Sequence, residues 1–136
     1  MISTQAMSKR DRFVLGSGME LIWFLEDAYE HKDVNKFLSL VSLGFRKDFL
    51  KLKRQLEKIF NESEQLSLYI HLVAKRQDLN IGICSYGICW SKRFKKQKCD
   101  YWQRDFGKAI IVFKRYCNNK DYNFLLYDIS GQNPFS

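Results

Sequence analysis

Between Leu79 and Cys117 two apolar segments flank a run of cations, and this arrangement restricts the fold more than any other stretch of the chain. Ile81, Ile83, Cys84, Tyr86, Ile88 and Trp90 precede Lys92-Arg93-Phe94-Lys95-Lys96-Gln97-Lys98. Tyr101, Trp102, Phe106, Ala109, Ile110, Ile111, Val112 and Phe113 follow it. β-branched and aromatic residues dominate both sides, so the stretch reads as two long antiparallel strands joined by a basic turn. A hairpin with so much apolar surface is not stable alone and must be covered. With the turn near Gln97, Cys84 is expected opposite Ile111 and Tyr86 opposite Ala109. Cys84, Tyr86, Ile88, Trp90, Ala109, Ile111 and Phe113 then share the covered face.

The cover comes from the N-terminal half. Residues 1–16 show no sustained period and read as a loose arm, with a single domain over 17–136. Ser17 followed by Glu20 has the capping-box spacing, which opens a helix over about Met19 to His31. Its apolar residues Leu21, Ile22, Trp23, Phe24, Leu25, Ala28 and Tyr29 exceed one narrow stripe, so burial on most sides is expected. Asp33 caps a second helix with Val34, Phe37, Leu38 and Val41 on one face, and Gly44 breaks the pattern. A third helix runs from about Arg46 to Asn61, with Phe49, Leu52, Leu56, Ile59 and Phe60 on one side and Lys47, Lys51, Arg54 and Lys58 on another. From Leu66 the period becomes two. Leu66, Leu68, Ile70, Leu72 and Ala74 face the core, whereas Ser67, Tyr69, His71, Val73 and Lys75 face away. A final strand covers Tyr122 to Ile129. The fold class is therefore α+β: three N-terminal helices packed on a curved four-stranded antiparallel sheet.

Composition agrees with one folded domain. The chain has 136 residues, of which 46% are hydrophobic and 15% aromatic, enough apolar surface to offset the entropy of ordering. The formal charge of +8, from 23 Lys plus Arg against 15 Asp plus Glu, favours anionic partners. Cys84, Cys89, Cys99 and Cys117 form no CxxC pair and only two histidines exist, so no metal site or cofactor is expected. Cys84 and Cys89 differ by an odd number of positions and point to opposite faces of one strand, and the cysteines read as reduced. No apolar run approaches the roughly 20 residues of a membrane span. Lys9, Arg10 and Arg12 precede only Phe13-Val14-Leu15, too short for the core of a signal peptide. Read from Met1, the expected location is cytoplasmic; an upstream signal sequence would make the protein an exported one.

Leu21 to Tyr29 followed by Lys32-Asp33, then Phe37-Leu38-Ser39-Leu40-Val41-Ser42, Ile88 and Trp90, and the ending Phe124-Leu125-Leu126-Tyr127-Asp128-Ile129-Ser130-Gly131 together resemble the nuclear transport factor 2-like superfamily. The resemblance covers about residues 19 to 135. It implies a cone-shaped α+β fold shared with SnoaL-like proteins and ketosteroid isomerases. Members include isomerases, dehydratases, hydrolases and transport adaptors, so the resemblance speaks for fold and not for one function. The chain lacks the early strand pair that larger members carry between the second and third helices, which argues against a deep, closed pocket.

An enzyme on such a cone needs acid and base groups inside it, and Tyr69, His71, Tyr86, Asp105 and Asp128 are the candidates. His71 falls on the outward parity and His31 at a helix end, where it meets free carbonyls. No catalytic motif of the superfamily can be matched residue by residue. Cys99, beside Lys98, reads as an ordinary thiol. The expected function is thus a non-enzymatic binding or assembly module, with a small-molecule enzyme or carrier using the cone interior as the alternative. An anionic partner (acidic protein, nucleic acid or charged surface) is expected at Lys92, Arg93, Lys95, Lys96, Lys98, Trp102 and Arg104 on the hairpin tip, joined by Lys47, Lys51, Arg54 and Lys58. Phe94, Tyr101 and Trp102 beside the cations resemble a base-stacking platform, second to the plainer reading that Tyr101 and Trp102 pack along the long hairpin and the lysines keep its tip soluble. A homodimer is expected through the outer sheet face, at Tyr69, Val73, Ile81, Ile83, Ile110 and Val112.

Overall fold

A computed structural model describes residues 18–78, 80–118 and 121–136. The arm over 1–16 and the Ser17 half of the capping box lie outside them. The first helix, α1 (Gly18–Glu30), buries Leu21, Ile22, Leu25, Ala28 and Tyr29, with Trp23 and Phe24 half-buried. His31 closes it, its Nδ1 lying 2.8 Å from the Asp27 carbonyl oxygen. In α2 (Val34–Ser39) the Asp33 carboxylate accepts the Lys36 N–H at 3.0 Å, as its position before the helix suggests. The third helix, α3 (Phe49–Glu62), starts three residues later than its apolar period implies. Asp48 is the reason: its side chain accepts the N–H groups of Leu50 and Lys51 at 3.0 and 3.2 Å and fixes the first turn there.

Four strands follow: β1 (Ser63–Asp78), β2 (Ile83–Lys96), β3 (Gln103–Asn118) and β4 (Asp121–Gly131), in the spatial order β1-β2-β3-β4 and antiparallel throughout. β1 leaves α3 with no loop, because Ser63 already has extended backbone angles. Irregularities at Ser63/Gln65 and Leu72/Ala74 in β1 and at Val112/Phe113 in β3 interrupt the ladders, as bulges do where a sheet bends. All seven residues assigned to the covered face of the hairpin are buried, none more than 5% exposed. Their pairing is displaced by two residues from the expected one: Cys84 faces Phe113, Tyr86 faces Ile111 and Ile88 faces Ala109. The connection occupies 97–102, so the axis of the hairpin lies past Gln97 while the side-chain parity is unchanged.

Between α2 and α3 the described residues contain no strand pair. The segment 40–46 instead lines the outer edge of β4. Ser42 N–H donates to the Leu126 carbonyl at 2.9 Å, Leu126 N–H to Leu40 at 2.8 Å and Arg46 N–H to Tyr127 at 2.9 Å. At the opposite edge, Glu30 and Glu26 of α1 accept the Leu68 and Ile70 N–H groups at 3.0 and 3.2 Å. Both sheet edges are thus covered over part of their length, which limits edge-to-edge pairing.

The cone is closed by residues after β4. Gly131 has φ +85, and a Cβ there would approach the Lys108 carbonyl oxygen to 2.8 Å, so only glycine allows the chain to turn inward at this point. Gln132 accepts the Trp90 indole N–H through its carbonyl at 2.7 Å. Phe135, fully buried, then sits edge-on to Tyr29 and Phe37, with ring centres 5.6 and 4.9 Å away. Tyr29 also meets Phe60 edge-on at 5.6 Å, so helices, sheet and terminal segment converge on one aromatic cluster.

Candidate anion-binding surface

Helix α3 positions three cations along one face, with a fourth just before it. Lys47 lies just before its cap, and Lys51, Arg54 and Lys58 recur at intervals of three and four residues; all four side chains are exposed. The opposite side of the helix buries Leu52, Leu56 and Phe60 in the core, so the stripe is held outward by packing. None of the four makes an ion pair with a carboxylate among the described residues.

Two hollows open beside this stripe. The larger, about 330 Å³, is lined by Lys47, Lys51 and Gln55 of the α3 region, by Phe45 and Leu52 at its floor, and by Ile129, Asn133 and Ser136. The smaller, about 260 Å³, is lined by Gln55, Lys58, Ile59, Glu62 and Ser136. They share Gln55 and Ser136 and form one groove between α3 and the segment that closes the cone.

The hairpin tip meets the far end of the same helix. Gln97 N–H donates to the Glu62 carbonyl at 2.8 Å. Lys32 Nζ reaches the Ser63 and Glu64 carbonyls at 3.0 and 3.3 Å, a cation at the negative end of the helix. The lysine stripe therefore leads to the tip, about one helical turn beyond Lys58. At the tip Lys96, Lys98 and Arg104 are exposed, and Lys98 has φ +64 in the turn. Lys95 is not uncompensated: Glu64 of β1 lies 3.9 Å from its ammonium. Arg93 and Arg104 are cross-strand partners, an unfavourable juxtaposition of like charges. The Arg93 guanidinium lies over Trp102, 4.8 Å from the ring centre, and Phe94 packs against the core. Phe94 is thereby engaged in the core and Trp102 with Arg93, while Tyr101 and Trp102 both remain exposed.

Lys92 leaves the cluster altogether. It shares the inward parity of Trp90 and is only 6% exposed. Its ammonium donates to the backbone oxygens of Pro134 and Ser136 and approaches the Tyr29 hydroxyl at 3.4 Å. Burial lowers its pKa, with the Asp105 charge acting in the other direction. The alternation Tyr86, Ile88, Trp90 extended by one step points to this orientation; the surrounding run of cations obscured it. Phe135 had no comparable signal, since no period extends past β4.

The acid-base candidates do not converge. Tyr69 and His71 are exposed on the outer face, Asp105 is exposed, and Asp128 lies opposite Val112 with one carboxylate oxygen buried and unpartnered among the described residues. Tyr86 is buried in the core, where loss of solvent pushes its pKa up to about 12. Cys84, Cys89 and Cys99 are unpaired, and burial raises the Cys84 pKa. No group of three or more His, Cys, Asp or Glu side chains among the described residues could hold a metal ion. Likewise, no described helix is long and apolar enough to cross a membrane.

No family model matches the chain, and no curated protein matches it in sequence. Solved structures do. A nuclear transport factor 2-like superfamily protein from Salmonella enterica is similar at 9% identity and a TM-score of 0.70, over 85% of this chain and 87% of that one. A conserved protein from Planctomyces limnophilus is similar at 8% identity and a TM-score of 0.70, over 92% of this chain and 100% of that one. A proposed scytalone dehydratase from Novosphingobium aromaticivorans is similar at 7% identity and a TM-score of 0.69, over 93% and 89%. At such identities the likeness is one of fold.

Proposed function

We propose that this chain, which has the nuclear transport factor 2-like fold, is a non-enzymatic binding module that docks an anionic macromolecule along α3 and the hairpin tip. One observation carries the reading: the described hollows open beside lysines without a described acidic partner, while large side chains are packed between the helices and the sheet. A small-molecule enzyme or carrier would use the interior. Tyr86, Trp90 and Phe135 occupy that space, and the ammonium of Lys92 is taken up by backbone oxygens of the chain itself. The outer sheet face supports a homodimer as the form that binds. Tyr69, Val73, Phe106 and Ile110 are exposed there, next to the half-buried Ile83 and Val112, with Ile81 exposed in the turn before β2.

The test compares the wild type with a tip variant (Lys95→Ser, Lys96→Ser, Lys98→Ser) and a stripe variant (Lys47→Ser, Lys51→Ser, Lys58→Ser). Binding to polyglutamate, a single-stranded oligonucleotide and anionic vesicles is measured over a salt series. The expected result is that at least one polyanion binds the wild type with an affinity that falls as salt rises, and that each variant binds more weakly. Absence of binding to all three at low salt would sink the reading.

A further inference from the structure

We infer that the groove between α3 and the closing segment takes an extended acidic peptide, with apolar side chains entering the two hollows and carboxylates meeting Lys47, Lys51 and Lys58. This rests on the anion-docking reading and narrows its partner to one chemical class. The hollows are not uniformly polar: Phe45, Leu52 and Ile129 line the larger, and Ile59 the smaller, next to the lysines. A ligand that fills them needs apolar groups as well as negative charge. Lys51 and Lys58 are seven residues apart, about 10.5 Å along the helix, which about three residues of extended peptide span. Glu62 lines the tip end of the smaller hollow and repels an anion there, so the complementary charge belongs opposite the three lysines.

A nucleic acid fits less well. Binding to single strands relies on exposed ring faces on which bases stack. The groove lining holds one aromatic residue, Phe45, and so offers no succession of rings for bases, and Trp102 at the tip already carries Arg93.

The experiment uses the whole chain and fluorescence anisotropy of three labelled probes: a peptide of repeated Leu-Glu-Glu units, the same peptide with serine for leucine, and oligo-deoxythymidine of equal charge. Wild type is expected to bind the leucine peptide at least about tenfold more tightly than the serine peptide, a difference of about 1.4 kcal/mol. The stripe variant should lose that preference and the tip variant should keep it. The stripe variant changes exposed lysines and the tip variant two exposed lysines and the half-buried Lys95, and unchanged thermal unfolding confirms that each is folded. Equal affinity for the two peptides, or a preference that survives in the stripe variant, overturns the groove proposal while leaving charge-driven docking intact. Tighter binding of the oligonucleotide than of either peptide overturns the partner class alone. Failure of all three probes to bind overturns the groove proposal and docking together.

Discussion

Phe135 and Lys92 depend on one another. The ring occupies the aromatic cluster, and the backbone around it supplies the oxygens that solvate a buried ammonium. Phe135→Ala removes a buried ring and loosens the oxygens on Lys92, so a loss of roughly 3 to 5 kcal/mol is expected in urea unfolding. Tyr86 makes a different prediction. Its hydroxyl is buried near Gln77 and Cys84 without a well-formed hydrogen bond among the described residues. Tyr86→Phe should therefore be neutral or slightly stabilising near neutral pH. The folded protein holds this proton up to about pH 12, whereas an unfolded tyrosine releases it near 10. Unfolding thus gains from ionisation as pH rises, and stability falls between those values; Tyr29 and Cys84, also raised by burial, have the same sign. Lys92, lowered by burial, has the opposite sign and recovers stability as it loses its proton below the ordinary lysine value. Urea unfolding across this alkaline range should show a shallower decline for Tyr86→Phe than for the wild type, and parallel curves would refute the assignment.

Among the elements, α3 has a start fixed by one side chain that accepts two N–H groups. Asp48→Ala removes the acceptor for two N–H groups and puts alanine, which adopts positive φ less readily than aspartate or asparagine, at φ +86, so a loss of about 1 to 2 kcal/mol is expected by thermal unfolding, with Asp48→Asn retaining most of the stability. This element also shows how far the sequence can be read. The apolar and basic faces of α3 were legible because the 3.6-residue period separates Leu52, Leu56 and Phe60 from Lys51, Arg54 and Lys58. The inward face of the hairpin was legible for the same reason at period two. Its pairing was not, because parity is indifferent to a displacement by two, and the connection contains a lysine at positive φ where no glycine or asparagine announces the turn. The groove was invisible as such. It arises where α3 meets residues 129–136, which only the complete fold brings together.

For the whole molecule, the outer sheet face makes the clearest prediction. A homodimer through it should sediment as twice the chain mass at micromolar concentration, and Phe106→Glu with Ile110→Glu should return it to the monomer without loss of the fold. A wild type that remains monomeric throughout would remove that assembly. The closure of the cone bears on the protein in a different way, through the order in which a ribosome makes it. Each strand of the meander can pair with its predecessor as it emerges, but Tyr29 and Phe37 wait for the ring they share, Phe135, roughly a hundred residues downstream. The helices are synthesised first and buried last. Throughout elongation the aromatic cluster lacks Phe135, and the sheet offers its apolar inner face to whatever is nearby. Completion of the core therefore coincides with delivery of the last few residues described, and a nascent chain stalled shortly before them should remain sensitive to protease although every helix and strand has already been made.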